Sequence, residues 1–198
     1  EVADSPQIAT GEARLTVFWA RASQDAPTAP TTSDSGNHQL GRMIAISGVR
    51  TTGNPWDVTS GGAEEVSDTT GSITGDTTTL ADCLIVAIMA VGDPDSTGTA
   101  NFSSWTNADL ASITERVDNT SSVSTGLGTG AAIGAATGGL ATAGTYGATT
   151  VTLGTAGQKA FMTIALTATA AGGGGAGPES EDDAFEDESV VPWIWQQR

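Results

Sequence analysis

The 198 residues carry 23 acidic side chains against seven basic ones, a formal net charge of −16 on a chain long enough for one domain and an arm. That charge repels nucleic-acid backbones, and the longest apolar run (83–91) is too short for a membrane-spanning helix, which argues against both partners. Threonine and glycine are abundant and form helices poorly, so the composition predicts an all-β fold.

Alternating apolar and polar residues appear first at 13–22, where Leu15 and Trp19 fall on one side of a predicted strand. Asn-Pro and several glycines make 51–62 a predicted turn. The run at 83–91 has no strand breaker and predicts a central strand covered on both faces. Strands are predicted at 13–22, 40–49, 83–91, 112–118, 148–154 and 159–170, with a short edge strand followed by a turn at 71–82 and a weak strand in the Gly/Ala/Thr-rich segment 122–149.

The number and spacing of these strands indicate the architecture. Eight short strands separated by turn signals are typical of a β-sandwich or jelly roll. Apolar alternation stops near residue 170, where a run of glycines begins. The sequence therefore predicts an all-β, β-sandwich/jelly-roll-like domain with an extended C-terminal arm. Its predicted parts are a domain at 1–169, a Gly-rich linker at 170–178 and an acidic-aromatic arm at 179–198.

Residues with catalytic or metal-binding chemistry are few and isolated. His38 is the single histidine and has no carboxylate or thiolate beside it, while Cys83 lies in the apolar run and predicts a buried core residue. Asp93 and Asp95 are spaced like the start of a calcium loop, but the rest of that pattern is missing, which leaves a plain turn or a weak cation site. We expect no catalytic residue, no cofactor and no metal, and therefore a protein that is not an enzyme.

Two other patterns fail as signatures of chemistry. The glycines within 126–134 have neither the G-x-G-x-x-G spacing nor a following Gly-Lys-Ser/Thr, so they predict no nucleotide site. Two acid pairs, Glu64 with Glu65 and Glu115 with Asp118, have the residue type that hydrolyses glycosides. Closeness in sequence does not place either pair in a cleft, so neither predicts a hydrolase.

Three aromatic residues are candidate contacts for a glycan. Trp56 and Trp105 each lie next to turn residues, where a ring can stack on a sugar, and Tyr146 is the third candidate. The alternative for the two tryptophans is that each ring fills the mouth between two sheets.

The C-terminal arm combines seven acids at 179–188 with an aromatic cluster at its end. Acidic side chains cannot form a core, so any docking of the arm depends on its apolar residues. We predict that they enter an apolar pocket of a neighbouring subunit while the acids lie along a basic strip; the alternative is an arm folded back over its own sandwich. The predicted docking residues are Phe185, Val190, Val191, Trp193, Ile194 and Trp195.

Several motifs occur in an order that resembles a known family. They are "RLTVFWARA", "GRMIAISGV", "GNPWDVTSGG", "TTTLADCLIVAIMAVGD", "FSSWTNADLASITERVDN", "ATAGTYGATTVTL" and "KAFMTIAL". Together, over about residues 12–168, they resemble the β-sandwich virion structural proteins of tailed bacteriophages. The resemblance implies a non-enzymatic component on the exterior of an extracellular virion, and it carries over no catalytic residue.

Within that family resemblance, the arm favours one role. A fibre module is expected to continue into coiled-coil heptads or repeats, and none are visible here, so we expect capsid decoration or cement. The expected partners are other virion proteins, either the major capsid protein or neighbouring subunits in a homo-oligomer. The alternative is a head-fibre, tail-fibre or adhesin module that binds host surface carbohydrate.

Overall fold

The computed structural model describes residues 1–22, 39–92, 101–121 and 130–169, together with the backbone of residues 190–197. Regular structure in these ranges is entirely β-strand, in two antiparallel sheets, which confirms the predicted all-β class. The strands are β1 (Gln7–Ala9), β2 (Ala13–Arg21), β3 (Gln39–Met43), β4 (Trp56–Ile73), β5 (Cys83–Gly92), β6 (Phe102–Thr106), β7 (Ala111–Ser121), β8 (Ala131–Leu140), β9 (Thr149–Thr167) and β10 (Val190–Gln197).

The larger sheet has six strands, ordered β4-β9-β5-β8-β7, with β6 also paired to β9. Its organising strand is β9, which pairs with β4 along most of its length, with β6 near its start and with β5 over its second half. The smaller sheet has four strands, ordered β1-β2-β10-β3. The last strand of the chain therefore lies inside the smaller sheet, between two strands from the N-terminal part.

The two sheets share the main hydrophobic core, which gives the molecule its β-sandwich-like character. Leu15 and Val17 of β2 belong to the same buried cluster as Ile88, Ile133 and Met162 of the larger sheet. Burying aliphatic side chains from both sheets in one layer is the main favourable contribution to folding here.

Strand β5 is buried on both faces, as its apolar run predicts. Val86 and Ile88 belong to the core shared by the two sheets, whereas Ala87 and Met89 belong to a second cluster on the opposite face. This alternation is the two-residue period of a strand. The second face is covered by Phe102 of β6, by the last residue of β4 (Ile73) and by residues near the start of β9 such as Val151.

Strand β8 confirms the weak strand predicted within 122–149, and its small residues have a packing role. A Cβ atom added to Gly134 would lie 2.6 Å from the ring of Phe102. The glycine therefore lets an aromatic ring from β6 lie directly on the backbone of β8, where any larger residue would displace it.

The turn predicted at 51–62 is wrong for most of its length, because β4 begins at Trp56 and continues for 18 residues. Pairing with β9 outweighs the local turn preference of this segment. Its glycines are needed for close packing: added Cβ atoms would lie 2.7 Å from the side chain of Gln7 at Gly61 and 3.0 Å from the ring of Phe161 at Gly62.

Two predicted strands, at 148–154 and 159–170, are one continuous strand, β9. The turn residues between the two predicted strands lie where the pairing of β9 with β4 is irregular. The register shifts there between Glu64 and Asp68 and between Asp68 and Thr70. The strand predicted at 40–49 is shorter than expected, because β3 ends at Met43.

Candidate functional site

The structure does not bring the three candidate aromatic residues together. Trp56 packs edge-on against Trp19, with ring centroids 5.5 Å apart, beside the core shared by the two sheets. Trp105 stacks on Phe102 at 5.9 Å beside the second cluster, and Tyr146 belongs to a third cluster. The three rings therefore do not form one platform for a glycan.

Tyr146 does not offer its ring to solvent, so its selection as a glycan contact is wrong. The residue is 1% exposed, and its hydroxyl lies 3.2 Å from the hydroxyl of Thr163. Burial is the main reason why the pKa of Tyr146 rises to about 12, with a smaller opposing effect from the Thr163 hydrogen bond. The phenol hydroxyl has its polar partner inside the fold, so Tyr146 is a core residue.

Trp56 and Trp105 are both half-buried, and Trp105 is the one whose indole is hydrogen-bonded to a carboxylate. It lies half-buried on β6, and its Nε1 donates a 2.8 Å hydrogen bond to Oε2 of Glu115 on β7. Stacking on Phe102 and this hydrogen bond fix the indole in one orientation. A half-exposed, fixed indole beside a carboxylate has the chemistry that stacks on a sugar and accepts a hydrogen bond from its hydroxyl groups.

The predicted docking residues of the arm fall in two places. Phe185 lies outside the described residues, and the other five, from Val190 to Trp195, lie in β10. The backbone of β10 is paired with β2 and β3 of the same chain, with Trp193 in register with Phe18 on one side and Met43 on the other. The structure thus shows the end of the arm folded onto its own sandwich, the alternative above, while docking onto a neighbouring subunit stays a prediction.

The strands that flank β10 form a gap one strand wide, which we call the β10 slot: β2 from Arg14 to Arg21 and β3 from Gln39 to Met43. Leu15, Val17 and Leu40, on these two strands, are buried in the shared core. Both edges of the β10 slot offer backbone donors and acceptors, and its floor is apolar. It therefore has the features that bind an added β-strand.

The outer surface of the same sheet carries exposed apolar residues. Ile8 on β1, Phe18 on β2 and Met43 on β3 are exposed by 52%, 41% and 52%. Two of the three, Phe18 and Met43, pair in register with the same position of β10. Three of the five exposed large hydrophobic residues in the described ranges therefore lie on the smaller sheet, the other two being Val66 and Leu80.

A buried cation was not anticipated as a feature of the sequence. Lys159, the only lysine, is fully buried on β9, and its Nζ lies 2.8 Å from Oδ1 of Asp68 and 3.3 Å from Oε2 of Glu64. The Nζ also donates to the backbone carbonyl of Val66 at 3.1 Å. The side-chain hydrogen bond from Lys159 is the main reason why the pKa of Asp68 is lowered, followed by the N–H of Thr70.

This cluster ties β9 to the irregular part of β4. The three acceptors lie within the stretch of β4 where the β4–β9 register shifts. One ammonium group therefore binds a backbone carbonyl and two carboxylates at a place where the regular strand pairing is interrupted. A single lysine at the start of the apolar stretch of β9 is the signal that could have found the cluster, because a buried lysine requires acceptors nearby.

A small open cleft is lined by polar residues. Its volume is about 280 Å³, and Oγ1 of Thr59 donates a 2.6 Å hydrogen bond to Oδ2 of Asp4 at its wall. The other lining residues are Gln7, Ser60, Gly61 and Asp76. In the part of the chain that the structure describes, no three His, Cys, Asp or Glu side chains are grouped to hold a metal ion.

Cys83 is buried, with its Sγ 3.4 Å from the carbonyl oxygen of Leu80, which confirms a core residue, and burial is the main cause that raises the pKa of its thiol. His38, Asp93 and Asp95 lie outside the described residues. Glu64 forms an ion pair with Lys159, and Glu115 accepts the hydrogen bond from Trp105.

Comparison with family models, with curated proteins and with solved structures finds no match to this chain. The described ranges contain no helix of the length and apolar character needed to cross a membrane.

Proposed function

We propose that the chain is a structural, non-enzymatic protein on the exterior of a tailed-bacteriophage particle, where it decorates or cements the capsid through its C-terminal arm. The observation that carries the proposal is the place of β10, a strand from the far C-terminus that completes a sheet built by N-terminal strands. An arm that ends in a strand can join two bodies by backbone hydrogen bonds, which is what a cement protein requires.

The charge and the motif resemblance support the same role. A net charge of −16 keeps individual copies soluble and directs them toward basic surfaces, so a basic strip on the major capsid protein is a suitable partner for the acids at 179–188. Nucleic acid and membranes are not partners in this proposal. The ordered motifs between residues 12 and 168 resemble those of β-sandwich virion proteins, and this resemblance is the reason for proposing a bacteriophage particle as the location.

Deletion of residues 176–198 tests the role of the arm on purified particles. We expect the truncated protein to be lost from particles at a lower salt concentration than the full chain. A control chain in which the seven acids at 179–188 become Asn or Gln separates charge from strand pairing. Unchanged retention of the truncated protein would contradict the cement role.

Copy number per particle tests the position on the virion. Imaging with an antibody against this chain should show it at repeated positions over the whole head if it is a capsid decoration. Labelling at a few projecting sites would favour a fibre instead, and no labelling of intact particles would contradict an exterior position.

A second candidate function is an adhesin that binds host carbohydrate, and the observation that favours it is the half-exposed ring of Trp105 with its Glu115 partner. Binding on a glycan array should be lost in Trp105→Ala and kept in Trp56→Ala, since the ring of Trp105 lies beside the carboxylate of Glu115 whereas that of Trp56 packs edge-on against Trp19. Absence of binding to every host surface glycan by the full chain would rule this function out.

A further inference from the structure

The β10 slot has to be filled for β3 to join β1 and β2 in the smaller sheet. Strands β2 and β3 are hydrogen-bonded to β10 and not to each other, and β3 has no other strand partner among the described residues. Leu15 and Val17 on β2 and Leu40 on β3 lie in the core that the two sheets share. Without a strand in the slot, solvent reaches these side chains, and two rows of backbone groups lose their partners.

The covalent link to β10 does not decide which copy fills the slot. Strand β1 is joined to β2 by only three residues, 10–12, so it must pair within its own chain. Twenty residues, 170–189, separate Thr169 from β10. A chain of twenty residues spans up to about 70 Å when extended, several times the radius of a domain of this size.

The same contacts are available whether β10 comes from its own chain or from another copy. Eight residues of β10 pair with β2 and five of these also pair with β3, and an identical strand from a second copy would make the same pairs. The two arrangements therefore differ mainly in the entropy of the connection and in the repulsion between copies. A tether of this length gives an effective concentration in the millimolar range, which close neighbours in an ordered array also reach.

From this geometry we propose that β10 is exchanged between copies of this chain, so that the β10 slot of one copy receives Val190–Gln197 of a second copy. The arm then forms a reciprocal, two-fold contact in a pair or a continuous link in an array. Each copy carries a charge of −16, so exchange increases with salt, which screens the repulsion, and with protein concentration. The inference names the partner of the arm and to that extent rests on the proposed function.

Two single-cysteine chains test this proposal in the purified protein, independently of any particle. Ala20 on β2 is exposed and lies directly opposite Val191 of β10. Directly opposite residues of an antiparallel pair have Cα atoms about 4.5–5.5 Å apart, a spacing that a disulfide accepts. Chains carrying Ala20→Cys or Val191→Cys, each with the buried Cys83 replaced by Ala, are mixed at high concentration and high salt and then oxidised.

Docking of β10 of one copy in the slot of the other holds these two thiols together, so their disulfide should form well above the level that random collision gives. We expect the mixed disulfide to exceed, by about tenfold, that of a control mixture of Val191→Cys with Val66→Cys, because docking raises the local concentration of the paired thiols. Val66 is 62% exposed and lies on β4, outside the slot. Mass spectrometry of the linked peptides identifies the pair.

A chain that carries both Ala20→Cys and Val191→Cys shows that the substituted strand still docks. At low concentration it should close an internal disulfide, which appears as a monomer lighter by two hydrogen atoms. If that internal disulfide forms while the mixed disulfide never exceeds the control at any concentration or salt, β10 stays in its own chain and the exchange proposal is wrong. The capsid role would then still stand or fall on the particle experiments.

Discussion

The two sheets of this protein are completed in different ways. In the larger sheet, β5 lies between β8 and β9, and all three strands come from one continuous half of the chain. In the smaller sheet, β2 and β3 are held together by a strand that arrives from the C-terminus after a 20-residue connection. The strand pairing of the larger sheet therefore does not involve β10, whereas the smaller sheet depends on a segment that is joined to it only at a distance.

The largest effect expected from this difference is that of removing residues 190–198. Leu15, Val17 and Leu40 would lose their cover, and about 1.5–3 kcal/mol for each buried aliphatic side chain amounts to a loss of roughly 5 kcal/mol in the free energy of unfolding. Urea denaturation of the full and truncated chains measures it.

Hydrogen exchange locates the same effect. Amides of β2 and β3 should lose protection in the truncated chain, while amides of β5 and β8 should keep theirs. Equal loss of protection in both sheets would show that they unfold as one unit and would remove the distinction between them.

A second test addresses close packing in the larger sheet. Gly134→Ala places a methyl group 2.6 Å from the ring of Phe102, and we expect a cost of about 2–3 kcal/mol from overpacking. Gly139→Ala in the same strand is the matched control, because its nearest neighbour would lie 3.9 Å away. Thermal or urea midpoints of the two variants should differ clearly, and similar midpoints would contradict the packing role of Gly134.

The buried cation provides a third test, at the edge of the larger sheet. Lys159→Met leaves the carbonyl of Val66 without its partner and brings Glu64 and Asp68 together without a cation. We expect a loss of about 2 kcal/mol at neutral pH, less than for a fully buried pair because both carboxylates are partly exposed.

The pH dependence of the same site has a defined sign. The pKa of Asp68 is lowered in the folded protein from its ordinary 3.8, mainly by the hydrogen bond from Lys159. Its contribution to stability is therefore complete above pH 3.8 and is lost as the pH falls through the lowered folded value. Urea midpoints measured from pH 7 to pH 2 should fall less steeply for Lys159→Met than for the unaltered chain, and identical slopes would refute this linkage.

The smallest expected effect concerns the loop between β4 and β5. Asp57 accepts hydrogen bonds from the backbone and hydroxyl of Thr79 and from the N–H of Leu80. Burial raises the pKa of Asp57, but these bonds together with Arg50 lower it overall. Asp57→Ala should cost about 1 kcal/mol, and Asp57→Asn less, because an amide oxygen still accepts. Equal stability of both variants and the parent chain would show that the loop is held by other contacts.

Part of this fold was accessible from the sequence because some signals are local. The apolar run of β5 predicted a strand covered on both faces, and the lone Cys83 within it predicted a core residue. The Gly/Ala/Thr-rich segment predicted a weak strand, β8, although not that the ring of Phe102 lies against it. Each of these inferences depends on the side chains of a single segment.

The site was less accessible, because its parts are brought together by pairing between distant strands. Trp56, Trp105 and Tyr146 were all candidate glycan contacts, yet they belong to three separate clusters: Tyr146 is buried, and of the two half-exposed tryptophans Trp105 is the one hydrogen-bonded to Glu115. Lys159 was visible as the only lysine, but its partners lie about ninety positions earlier in the chain.

The sequence by itself determined that this protein is built from strands, which of them is the central one and where the apolar side chains concentrate. These properties follow from the composition and period of single segments. Only the tertiary structure decided that the glycine-rich beginning of β4 is a strand rather than a turn, that β9 is continuous, and that β10 lies between β2 and β3. Strand pairing satisfies backbone groups with partners far away in the chain, and no local pattern specifies those partners.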